Sequence, residues 1–307
     1  MSTTSRHSGR ARRGLPLAAA AAVVLAAVTL GAAAVRLQAV PTSVEAVGTA
    51  RVVTVTARDY AFTAPDTLLA GRTEVRLVNE GPELHHAAIV RLDDGKTPAD
   101  FVRAMQAGGP PPTWMHEVGG PNAPAPGRTS TTIVDLEPGT YMFLCFIPSP
   151  DGKPHVMKGM MKAVTVVPAS AATMAAPVST GAGAMSTRPE PDVTMTLRDY
   201  GFDLSAPLTS GSHVVRVRNE AAQGHEVLFV RLAPGKTPQD VVAWVEQPAG
   251  PPPGMPLGGT VGMARGVSND VVLELEPGEY GLLCFLPDAG DGKPHVAHGM
   301  MRQITVK

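Results

Sequence analysis

Three side chains that bind soft metal ions lie close together in this chain, twice, in the same order. Tyr141-Met142-Phe143-Leu144-Cys145 is followed by a loop and by His155-Val156-Met157-Lys158-Gly159-Met160. Further on, Tyr280-Gly281-Leu282-Leu283-Cys284 is followed by a similar loop and by His295-Val296-Ala297-His298-Gly299-Met300. Each copy delivers a thiol, an imidazole and a thioether at the end of an apolar run. In the first copy Tyr141, Phe143 and Cys145 share one face of the run, because successive strand side chains point to opposite sides. A Cys with two His and a weak axial Met is the ligand set of a one-electron copper site. One His is missing from each stretch and has to come from elsewhere in its copy.

The missing His is supplied by a second repeated feature. His85-His86 leads into the apolar run 87–92, and His225-Glu226 leads into 227–232. Aligning the runs sets His85 on His225 and His86 on Glu226. The candidate metal ligands are therefore His85, Cys145, His155 and Met160 in one copy, and His225, Cys284, His295 and Met300 in the other. A single His at a strand start is ordinarily a polar surface residue, and the recurrence favours a metal role. His86 is expected to face outward. Met161 and Met301 read as core residues, and Met157, His298 and His116, which have no counterparts, read as surface. The bland alternative for the two Cys is a disulfide joining them. That would require the interiors of both copies to meet.

These donors need a framework, and the framework is also duplicated. Arg58-Asp59-Tyr60-Ala61-Phe62 recurs as Arg198-Asp199-Tyr200-Gly201-Phe202, and Leu136-Glu137-Pro138-Gly139 as Leu275-Glu276-Pro277-Gly278, at an offset of about 140 residues. This is a tandem duplication. Alternating β-branched runs predict strands at 53–56, 73–78, 87–92, 131–136, 139–145 and 163–167, with a matching strand at 193–197. One short helix is predicted per copy, opened by Thr97-Pro98-Ala99-Asp100 and by Thr237-Pro238-Gln239-Asp240. The Pro/Gly-rich segments 108–127 and 250–266 are expected to be irregular. The fold class is all-β: two tandem Greek-key β-sandwich domains, each with one short helix. The boundaries read as 1–48 for an export signal or membrane anchor with a short spacer, 49–167 for domain 1, 168–190 for a flexible linker and 191–307 for domain 2.

Composition sets the class. Lys plus Arg and Asp plus Glu nearly cancel at 26 against 27, which gives no reason to expect a nucleic-acid partner. The 32 Gly and 30 Pro favour a turn-rich β protein. Arg6, Arg10, Arg12 and Arg13 precede an uninterrupted apolar run at 15–35 and a small-residue exit. That is the pattern of an export signal or, at this length, of a retained anchor. The expected location is outside the cytoplasm, periplasmic or at the cell surface.

At this point each copy resembles a cupredoxin, over nearly all of each domain. The resemblance lies in an Asn-containing strand, a loop to the first His, Tyr-x-x-x-Cys, a loop, and His-x-x-x-Gly-Met before the final strand. Nine residues separate Cys145 from His155 and ten separate Cys284 from His295, which is closer to copper nitrite reductases than to plastocyanin-like members. The resemblance implies copper, up to two ions, with Cys145 and Cys284 as thiolates, the four His completing trigonal planes, and Met160 and Met300 as axial ligands. Asn79 and Asn219 would support the thiolates by hydrogen bonds. The reductases and multicopper oxidases hold catalytic copper through further His, including one directly before the Cys, where this chain has Leu144 and Leu283. The expectation is a carrier and not an enzyme, exchanging single electrons with a redox partner protein. Alternatives are Cu(I) storage or delivery with a copper donor or acceptor, and a metal-free binding module.

Overall fold

The computed structural model describes residues 49–109, 111–170 and 184–307. Residues 1–48, where the export signal or anchor is expected, lie outside them. The alternating runs form strands whose apolar side chains turn to one face. In copy 1 these are β1 (Thr49–Arg58), β2 (Ala61–Thr63), β3 (Thr67–Leu69), β4 (Gly71–Asn79), β5 (Ala88–Leu92), β6 (Met115–Gly119), β7 (Thr129–Leu136), β8 (Gly139–Leu144) and β9 (Met161–Val167). A short β10 (Met185–Thr187) follows. Copy 2 contains β11 (Val193–Arg198), β12 (Gly201–Leu204), β13 (Gly211–Asn219), β14 (His225–Leu232), β15 (Gly254–Met263), β16 (Ser268–Leu275), β17 (Gly278–Leu283) and β18 (Met301–Val306). The helices are α1 (Pro98–Ala107) and α2 (Pro238–Glu246), each opened by a reciprocal Thr–Asp capping box as the sequence predicts.

Each copy is a β-sandwich. In the first sheet β1 runs parallel to β4, with Val53 opposite Val75 and Val55 opposite Leu77, and β11 runs parallel to β13 in the same way. In the second, β8 pairs antiparallel with β5 and β9, and β17 with β14 and β18. Between the layers of copy 1 lie Val53, Val55, Leu77, Ile89, Tyr141, Phe143, Cys145 and Met160. Copy 2 fills the same interior with Met195, Val215, Val217, Phe229, Tyr280, Leu282, Cys284 and Met300. Met142 and Leu144 pack on the opposite face against Phe101 of α1, so the alternation read from the sequence holds through to Cys145. Full burial of Phe101 is worth about 1.5–3 kcal/mol and fixes the helix to the sheet.

The Pro/Gly-rich segments depart from expectation. They contain β6 and β15, and these strands, together with β7 and β16, join the copies edge to edge. Ile133 stands opposite Asp270 and Thr132 opposite Val271, while Val118 stands opposite Met263. Both sheets therefore run continuously through the two copies. The reason is physical: edge strands expose unpaired N–H and C=O groups, and each copy covers the other's edge. Buried side chains reinforce the seam. Thr132 Oγ1 donates to the Gly259 carbonyl at 2.8 Å, and Asp270 accepts from Arg72 of copy 1 at 2.5 Å and Arg216 of copy 2 at 2.8 Å.

The linker expectation for 168–190 is also corrected where residues are described. β10 pairs with the start of β1, Thr49 opposite Thr187. Arg188 grips Glu74 through two bonds of 2.9 Å, and Ser186 donates to the same carboxylate. Residues 171–183 lie outside the described residues. Among the described residues, no helix is long and apolar enough to cross a membrane.

Candidate metal centres

β8 ends one residue before Cys145, and a backbone clamp there sets the geometry of the whole centre. The Cys145 N–H donates to the Met160 carbonyl at 3.3 Å, and the Cys145 carbonyl accepts from Val156 N–H at 2.7 Å. Copy 2 repeats the clamp with Cys284 to Met300 at 3.3 Å and Val296 to Cys284 at 3.0 Å. The returning segment is a single 3-10 turn, His155–Lys158, closed by Gly159 at φ 99°; its counterpart, His295–His298, is closed by Gly299 at φ 90°. A left-handed residue at that point suits glycine, and it directs Met160 and Met300 back into the interior.

The sequence-predicted donors converge. In copy 1 His85 Nδ1 lies 3.1 Å from His155 Nδ1, and Cys145 Sγ lies 3.4 Å from His155 Nδ1. In copy 2 the corresponding separations are 3.0 Å between His225 and His295, and 3.3 and 3.9 Å from Cys284 Sγ to His295 and His225. In each group the three donor atoms all lie within 4.8 Å of one another. The four His, both Cys, Met160 and Met300 are fully buried, and each Met lies in the same apolar cluster as its Cys. Both thiols are free, so the disulfide alternative is set aside.

The electrostatics of the centres match a cation site. Burial pushes the Cys145 thiol up to about 12, and the Cys284 thiol higher still, with Glu226 adding to the rise. Burial pulls His85 and His225 down and takes His295 to about 4, with the His225 charge contributing to the fall. Neutral imidazoles and a thiol that gives up its proton only to a metal are the state in which such ligands load. Two imidazole Nδ1 atoms facing each other beside a sulfur fit a soft, trigonal ion. The donor set selects copper over the hard cations.

Several neighbours were not singled out from the sequence. Glu83 Oε2 lies 2.9 Å from His155 Nε2, and Asp199 Oδ1 lies 3.1 Å from His225 Nε2. Although burial opposes it, the hydrogen bonds from His155 and Tyr60 hold the Glu83 carboxyl below its usual range. Tyr60 and Tyr200 set their rings edge-on to His155 and His295, with centroids 5.1 and 5.7 Å apart. The repeat Arg-Asp-Tyr contained a signal for Asp199 and the two Tyr, since polar residues recurring beside an apolar strand need a reason.

Two expectations change. His86 does not face outward: it is buried, and its Nε2 accepts the Phe146 N–H at 2.9 Å. Glu226 does the same for Phe285 at 2.9 Å, so an acceptor is what this position requires. Asn79 and Asn219 do not reach the thiolates. They tie down the loops that carry His85 and His225, through the carbonyls of Glu83 and Gln223 at 2.8 Å each. His116 pairs with Asp93 at 2.7 Å, and Met157 is exposed, as read.

No protein-family model matches the chain, and no curated protein matches it. Solved structures do. An auracyanin from Roseiflexus castenholzii is 21% identical, with 39% of this chain covering 100% of that one at a TM-score of 0.28. A blue copper oxidase from Nitrosomonas europaea is 16% identical, with 83% of this chain covering 84% of that one at a TM-score of 0.22. A copper-containing nitrite reductase from Thermus scotoductus is 12% identical, with 83% covering 61% at a TM-score of 0.21. Two of these three are named as an oxidase and a reductase. That overturns the expectation that the chain is not an enzyme, because the similar structures include enzymes.

Proposed function

We propose that this chain, two tandem cupredoxin-like domains in one protein, is a copper protein of the one-electron-transfer type, with one ion in each domain. The observation that carries this is the duplicated convergence of two Nδ1 atoms and one Sγ, fully buried, within 4.8 Å. His85, Cys145 and His155 would hold one ion with Met160 beside them, and His225, Cys284 and His295 the other with Met300. Bound there, copper supplies a one-electron couple. The chain's own residues keep water away from the donors and fix Cys, His and Met through one backbone clamp. Donors fixed in this way need little rearrangement between oxidation states.

The partner on this reading is a redox protein outside the cytoplasm, reached after export through the basic and apolar head of the chain. Cell fractionation of the full chain against a version lacking residues 1–48 tests the location. For the site itself, Cu(II) is added to residues 49–307 and the visible spectrum recorded. A strong thiolate-to-copper band, partly lost in Cys145→Ser and partly in Cys284→Ser, is expected. Copper bound only after reduction, without a band, would instead indicate Cu(I) handling.

A further inference from the structure

With Nδ1 turned to the shared donors, each imidazole presents its Nε2–H outward, where it needs an acceptor. The two copies meet that need in opposite ways. In copy 1 His155 Nε2 bonds Glu83, while His85 Nε2 has no hydrogen-bond partner among the described residues and Asp59 stands 3.5 Å away. In copy 2 His225 Nε2 bonds Asp199, while His295 Nε2 has none among the described residues and Asp288 stands 3.7 Å away.

The repeat explains the inversion. Glu83 aligns with Gln223, and Ser149 aligns with Asp288. One acid has moved from the loop before the first His to the loop before the second, and a neutral polar residue has moved the other way. Besides the aligned pair Asp59 and Asp199, each copy keeps one further acid, one neutral partner and one Tyr in the cluster. Yet the acids are engaged differently. Glu83 accepts from Tyr60 through Oε1 at 3.0 Å, leaving Oε2 to His155. Asp288 spends Oδ2 on Tyr200 at 2.6 Å and Gln223 at 2.8 Å, and Oδ1 on the Gly290 N–H at 2.7 Å. Tyr60 and Tyr200 are held in place by left-handed backbone at φ 61° and 64°, the non-glycine residues that adopt it among the described residues.

Resting on the copper reading above, we propose that Glu83 is a positioning residue that makes the two centres unequal, so that copy 1 has the lower reduction potential. A carboxylate accepting the far N–H makes an imidazole a more basic ligand, and a more basic ligand favours the higher charge on the ion. Asp199 offers copy 2 a similar bond from a more exposed place, its side chain 44% accessible against 26% for Glu83, so solvent screens it more. Asp288, its oxygens held by Tyr200, Gln223 and Gly290, makes no such hydrogen bond to His295 Nε2.

The test uses two single-centre proteins, Cys284→Ser and Cys145→Ser, loaded with copper and titrated against redox mediators at the thiolate band. The copy 1 centre is expected about tenfold below the copy 2 centre in its reduction equilibrium, about 59 mV for one electron. Glu83→Gln in the Cys284→Ser protein should close most of that gap, Glu83→Asp should restore part of it, and Glu83→Gln with Ser149→Asp should reproduce copy 2. If Glu83→Gln does not fold, Gln223→Glu with Asp288→Ser in the Cys145→Ser protein asks the same question and should lower the copy 2 value. Equal potentials in the two single-centre proteins, or less than a twofold change on either exchange, would overturn the inference and leave the copper reading standing. Absence of the thiolate band from both proteins would overturn both.

Discussion

Cys145 and Cys284 sit in matching frames, their N–H groups 3.3 Å from the carbonyls of Met160 and Met300, while the edges of their copies differ. The seam shows this best. Asp270, buried between Arg72 and Arg216, aligns with Thr131, and Thr132 of copy 1 aligns with Val271. Glu74, strapped by Arg188, aligns with Val214 in copy 2. What is shared is the end of the sandwich that gathers the donors. What differs is where each copy meets its twin, the connecting segment, or solvent. A duplicated framework has kept its donor geometry while its edges were rewritten for different neighbours.

The largest effect should come from breaking that asymmetry at the seam. Asp270→Ala leaves two guanidinium groups facing each other without their carboxylate, and should cost about 3–5 kcal/mol in chemical denaturation. Thr131→Ala, the aligned change in copy 1, should cost far less. If the two cost the same, the seam is not held by that network.

Next in size is Glu74. Burial alone would raise its carboxyl, but hydrogen bonds from Arg188, Ser186 and Arg76 hold it at about 2. A depressed carboxyl adds stability that is complete above its unfolded value near 4.5 and is lost as the pH falls toward 2. Wild type should therefore lose about 2–3 kcal/mol more than Glu74→Gln between those limits. Parallel melting curves across that range would contradict the strap of residues 184–190 onto copy 1.

The smallest effect should be the same in both copies. Thr97→Ala and Thr237→Ala each remove a capping box and should each cost about 1 kcal/mol. Unequal costs, measured by urea titration, would show that the helices are not equivalent parts of the repeat.

Much of this was legible in the sequence, and the limits have physical causes. Alternation placed Tyr141, Phe143 and Cys145 on one face, and the repeat picked out His85 over His86. The seam strands β6 and β15 were missed because Gly258, Gly259, Gly119 and Gly120 look like loop residues. They are glycine because a side chain at Gly259 would meet the Val227 carbonyl at 2.0 Å and one at Gly120 the Ala87 carbonyl at 2.3 Å. Two of the acids behind the imidazoles, Glu83 and Asp288, were missed because they have no acidic counterpart at their own aligned positions. A residue-by-residue repeat comparison does not register a carboxylate that keeps its place in space while changing its loop.

The most direct measurement is the number of copper ions bound per chain, counted by equilibrium titration alongside the thiolate-to-copper absorption. Two ions with matching absorption per ion, one lost in each of Cys145→Ser and Cys284→Ser and both in the double variant, is the predicted result. Copper bound with undiminished stoichiometry in the double variant would contradict the account, because the donors that converge in each copy would then not be what holds the metal.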